Sequence, residues 1–163
     1  MKYKSVNEID KFRYDDCVLA DIKVDDAGIV LVLEALIVKR DNSQNTNYTE
    51  SYAGTTNVTI KGGKITAGIK DGYKYYDAND VLIREVLDTK LDDNELKALP
   101  KLCQGAYLYD ISESTDDFGH KCFVLGIEFV DEEEQAMGDS YRIFITGEDI
   151  VCEWERYMNR VQS

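Results

Sequence analysis

The chain reads as an α+β protein built on mainly antiparallel sheet. Seven or eight strands are expected, in one sheet system or a two-sheet sandwich, with an amphipathic C-terminal helix and one or two short helices covering apolar faces. Three observations lead there. Residues 29–38, IVLVLEALIV, form the longest nearly uninterrupted apolar run, and five of the ten are β-branched, which suits a pleated surface. Segments 106–111, 121–130 and 141–146 alternate apolar and polar residues, the pattern of strands with one buried face. Near the C-terminus Ile150, Val151, Trp154, Tyr157, Met158 and Val161 recur at helical spacing.

Taken in order, Ser5 and Glu8 make a capping-box pair, and Val6, Ile9 and Phe12 recur every third residue, so a short helix is expected there. Segment 17–24 alternates, with Val18, Ala20, Ile22 and Val24 opposite Asp21 and Lys23. Asp25-Asp26-Ala27-Gly28 is turn chemistry that folds this strand onto 29–38 as a hairpin. The 29–38 strand is apolar on both faces and belongs in the middle of a covered sheet. Glu34 is its single charge, and a buried charge needs a partner.

Segment 41–47, DNSQNTN, reads as an exposed loop. Strands are expected at 48–53 and 57–60, then a two-residue hairpin turn at Gly62-Gly63 into the alternation Ile65, Ala67, Ile69. These glycines lack the spacing and following helix of a phosphate loop. Asp71-Gly72 turns the chain again before Tyr73, Tyr75 and Tyr76, and 81–89 reads as strand. Asp92 with Glu95 forms a second capping box, Leu91 and Leu96 stand at staple offsets, and a short helix over 93–99 is stopped or bent by Pro100. The three alternating segments follow as antiparallel neighbours joined by acidic loops at 112–120 and 131–140. Thr146 then caps the last helix, with Glu148 and Asp149 in its first turn and Arg156 and Arg160 near its end, as the helix dipole prefers.

At 163 residues, with no internal repeat or linker, the chain is expected to be one domain. Its charge is unevenly placed. Between Asp110 and Glu155 stand fourteen acids against Lys121 and Arg142, so nearly all of the net charge of −13 lies in one third of the sequence. Such a field repels phosphate backbones and argues against nucleic acid as a partner. No apolar run approaches the ~20 residues of a membrane-crossing helix. The N-terminal stretch has no secretory pattern, so a cytoplasmic location is expected.

No chemical motif stands out. Cys17, Cys103, Cys122 and Cys152 are scattered without zinc-type spacing and read as buried free thiols. His120 is the only histidine. A pair with Cys122 lacks an orienting third group, and no set of metal ligands or cofactor signature is present. The leading expectation is a non-enzymatic binding module that presents Asp116, Asp117, Asp131, Glu132, Glu133 and Glu134 to a basic protein partner. In composition the chain resembles small acidic inhibitor and immunity-type proteins, which oppose basic targets. The alternative is a ligand-binding or enzymatic domain with a pocket between sheet and helix and Tyr73, Tyr75 and Tyr76 at its rim. The sequence sets no oligomeric state.

Overall fold

The 29–38 run does not stay in one sheet. In the computed structural model, which describes residues 1–131 and 136–161, Gly28–Glu34 is one strand, the chain turns at Ala35 with φ of 59°, and Ile37–Val38 enters another sheet. The elements in order are β1 (Tyr3–Val6), a 3-10 turn (Ile9–Lys11), β2 (Phe12–Arg13), β3 (Val18–Asp25), β4 (Gly28–Glu34), β5 (Ile37–Val38), β6 (Ser51–Ala53), β7 (Thr56–Lys61), β8 (Lys64–Lys70), β9 (Tyr73–Tyr76), β10 (Leu82–Val86), β11 (Thr89–Lys90), α1 (Asp93–Leu102), β12 (Ala106–Thr115), β13 (Lys121–Asp131), β14 (Ala136–Gly147), β15 (Ile150–Trp154) and β16 (Tyr157–Arg160). The protein is therefore mainly antiparallel β with one short internal helix, and its strands are shorter and more numerous than the seven or eight expected.

Ten strands form the main sheet in the order β1-β15-β7-β4-β3-β12-β13-β14-β8-β11, every neighbour antiparallel. A four-stranded sheet runs β16-β6-β5-β2, and β9 with β10 stands alone as a pair. One apolar cluster joins inward residues from the whole width of the main sheet: Leu31 and Leu33 of β4, Ile60 of β7, Leu108 of β12, Leu125 and Ile127 of β13, and Ile143 and Ile145 of β14. Burying each such side chain is worth about 1.5–3 kcal/mol. The expected β3–β4 hairpin forms, with Asp25 Oδ1 accepting from the Ala27 and Gly28 amides at 2.8 and 3.1 Å. Its faces differ from simple alternation. The register steps from Leu19 opposite Leu33 to Asp21 opposite Val32, so Ala20 is a bulge and the core receives Leu19 and Ile22 while Val24 stays exposed.

The C-terminal helix is absent. Ile150–Trp154 is a strand held on both edges, by β1 and β7, and every residue of it but Glu153 is buried. After a bend at Glu155-Arg156 the chain joins the small sheet as β16. Trp154 meets Tyr3, Phe12 and Tyr157 at ring distances of 5.7–5.9 Å, an aromatic knot between the two sheets. A strand, a bend and a second strand thus mimic a helical stripe. Thr146, expected as the helix cap, pairs with Cys122 and Lys64 in the main sheet.

Four smaller expectations also change. Ser5 does bond Glu8 at 2.8 Å, but Ser5 lies in β1 and only the 3-10 turn follows. The 41–47 loop is irregular yet anchored: Asn42 is buried and bonds Ser5 and the Lys11 carbonyl, and Asn45 bonds three carbonyls. Gly62-Gly63 does turn the chain, but β7 and β8 are not paired; the turn carries the chain from the third to the ninth place in the strand order of the main sheet. In α1 the Asp92/Glu95 capping box forms with both bonds, at 2.8 and 3.1 Å, and Pro100 sits inside the helix, which continues to Leu102.

Candidate binding cleft

Glu34 ends β4 where the backbone swings from the main sheet into the small one. The non-glycine residue in left-handed conformation beside it, Ala35, costs roughly 1–2 kcal/mol and marks a corner held by its surroundings. That corner forms one wall of a cleft of about 790 Å3 between the sheets. Its other walls are Tyr52 to Thr55 at the end of β6, Glu155, Arg156, Met158 and Asn159 where β15 passes into β16, and Asp16 with Met1.

Two of the three carboxylates around this cleft are oriented by hydroxyl donors. Thr55 Oγ1 donates to Glu34 Oε1 at 2.7 Å, and Tyr52 Oη donates to Asp16 Oδ2 at 2.9 Å. The bond to Asp16 raises the Tyr52 phenol above its ordinary pKa, so it remains a donor. Among the described residues neither Asp16, Glu34 nor Glu155 takes part in an ion pair. Acids close by in sequence are already matched: Asp15 and Glu50 to Arg13, and Asp41 to Lys11. Among the described residues no three His, Cys, Asp or Glu side chains are grouped to hold a metal ion, so the cleft carboxylates are spread along its walls.

The acids singled out from sequence that the structure describes, Asp116, Asp117 and Asp131, stand at two ends of β13. Asp116 and Asp117 lie in the turn between β12 and β13, where Asp116 Oδ1 accepts from the Phe118 and His120 amides at 2.9 and 2.8 Å. Those bonds draw the Asp116 carboxyl below its usual pKa. Asp131 ends β13 at its other extremity, opposite Ala136. Eleven strand residues separate the two groups by about 34 Å at the ordinary rise. Glu132, Glu133 and Glu134 lie outside the described residues.

Tyr73, Tyr75 and Tyr76 occupy β9 and are all exposed. A cleft of about 570 Å3 does lie between α1 and the sheet, lined by Val24, Lys64, Ile65, Leu96, Lys97 and Pro100, and none of the three tyrosines borders it. His120 is an exposed turn residue with Nδ1 3.2 Å from Asp116. Burial pushes the thiols of Cys17 and Cys152 up to about 12 and that of Cys103 to about 11, which leaves these three sulfurs protonated and poor nucleophiles. Of the cleft carboxylates, Glu34 carried a signal in sequence as the lone charge in an apolar run. Asp16 and Glu155 carried none, because only the two-sheet junction brings them near it.

No family model, curated protein or solved structure matches the chain.

Proposed function

We propose that the chain is a non-enzymatic binding module that receives a basic segment of a protein partner in the cleft bordered by Asp16, Glu34 and Glu155. The observation that carries this reading is the set of three carboxylates, none in an ion pair among the described residues, around one concave site in a chain of net charge −13. Lysine and arginine side chains fit such a place because their aliphatic stems pack on apolar groups, here Met1, Ala53 and Met158, while their charged ends reach carboxylates. Arg156 leaves the lining net negative. The other acids of the sequence, Asp116, Asp117 and the run from Asp131 through Glu134 among them, add long-range attraction that speeds encounter.

Titration of an arginine-rich peptide into isotope-labelled protein tests this by amide chemical shifts. Shifts should concentrate at residues 34–35, 52–55 and 155–159, weaken with added salt, and fall away in the combined Asp16→Asn, Glu34→Gln, Glu155→Gln variant. Shifts of equal size over all acidic surfaces, unchanged in that variant, would overturn it.

A further inference from the structure

The β9–β10 hairpin stands outside both larger sheets. Every residue of β9 is exposed, as are Leu82, Ile83, Arg84 and Glu85 of β10 and the flanking Val81 and Leu87. An isolated two-stranded hairpin is marginal in water, and a contiguous exposed apolar patch of this kind marks a contact surface. The hairpin is nonetheless held firmly at its root. Arg142 of β14 bonds Asp71 Oδ1 at 2.6 Å and Asp88 Oδ2 at 3.0 Å, on the two chains entering and leaving it. Gly72 is packed so closely on the Val86 carbonyl that a Cβ there would lie 1.9 Å from its oxygen.

We propose that a second copy of this chain docks on the hairpin, through the face carrying Lys74, Tyr76, Leu82 and Glu85. Charge is the first argument. The strands hold Lys74, Arg84 and Glu85, and with Asp77 and Asp80 of the turn residues 73–86 carry a balance of −1, close to neutral in a chain of −13. A strongly basic partner gains little here, whereas two acidic chains can meet here with little of their charge opposed. Self-complementarity is the second. Lys74 stands opposite Glu85 in the ladder, with charged atoms 3.9 Å apart, and Tyr76 stands opposite Leu82. A two-fold axis over this face sets Lys74 of each copy against Glu85 of the other and Tyr76 against Leu82, which is what an isologous interface requires. On the opposite face the rings are already packed within the chain: Arg84 lies 5.8 Å from the Tyr73 ring, and the Tyr73 and Tyr75 rings pack edge to face at 5.0 Å.

Sedimentation of the full chain over a wide range of concentration and salt tests this. A reversible dimer is expected, tightening as salt screens the −13 charges, the opposite salt dependence to that of the cleft and its basic segment. Lys74→Glu and Glu85→Lys should each weaken it by about tenfold or more, since like charges across an interface cost several kcal/mol. The double variant K74E/E85K, and an equimolar mixture of the two single variants, should restore association. A monomer under all conditions overturns the proposal and leaves the hairpin to a different chain. A dimer indifferent to both single substitutions overturns it as well. Either failure leaves the peptide titration at the cleft unaffected.

Discussion

The β13–β14 and β9–β10 hairpins are both antiparallel pairs with apolar residues in alternation, yet they do opposite things. In β13–β14 alternate side chains over 123–127 and 141–145 enter the core, with Phe123, Leu125, Ile127, Ile143 and Ile145 fully buried. In β9–β10 no side chain is buried, and Tyr75 and Ile83 are 55% and 66% exposed. The difference lies in the neighbours. β13–β14 is flanked by β12 and β8 inside the main sheet, whereas β9–β10 belongs to neither larger sheet and is tied to the main one by hydrogen bonds at its root, through Asp71, Asp88 and Arg142. Apolar alternation therefore signals a surface to be covered, and tertiary position decides whether the chain itself or another molecule covers it.

The largest expected contrast comes from truncating one residue in each hairpin. Leu125→Ala should cost about 2–5 kcal/mol, the range for emptying a closed core site. Tyr75→Ala should stay within about 0.5 kcal/mol of the parent when urea unfolding is followed at high dilution. Equal costs would place the β9–β10 hairpin in the core and end the comparison. A smaller effect is expected at the root. Arg142 is partly exposed, so Arg142→Ala should lower global stability by about 1 kcal/mol or less after solvent screening. Amide exchange at 73–76 and 82–86 should accelerate while 123–127 stays protected. Faster exchange in both regions would show that Arg142 supports the main sheet instead.

Local signals foretold the elements whose determinants are local. The Asp25–Gly28 turn, the Asp92/Glu95 capping box and the β12-β13-β14 meander were all legible, because turn residues, caps and short connections act over a few positions. Three features were not. The apolar run 29–38 reads as one strand, and only the left-handed Ala35 splits it between two sheets. The residues from Ile150 to Val161 satisfy a helical stripe and, with a bend at Glu155-Arg156, two strands equally well; the ladders supplied by β1 and β7 decide for strands. The acidic third of the sequence reads as one surface because its residues are close in sequence, but β13 sets Asp116 and Asp117 beyond one end and Asp131 at the other. The cleft was visible only at Glu34, since Asp16 and Glu155 reach it from distant segments.

On this proposal β9–β10 is an appendage kept for contact and not for folding. Gly72 and Leu87 are already in contact at its root, so residues 73–86 can be replaced by a short Gly-Ser link without moving the ends. Urea unfolding of that shortened chain at high dilution tests the claim most directly. A cooperative transition within about 0.5 kcal/mol of the parent is expected, the margin of a surface change. Loss of cooperativity, or a drop as large as that of Leu125→Ala, would contradict it.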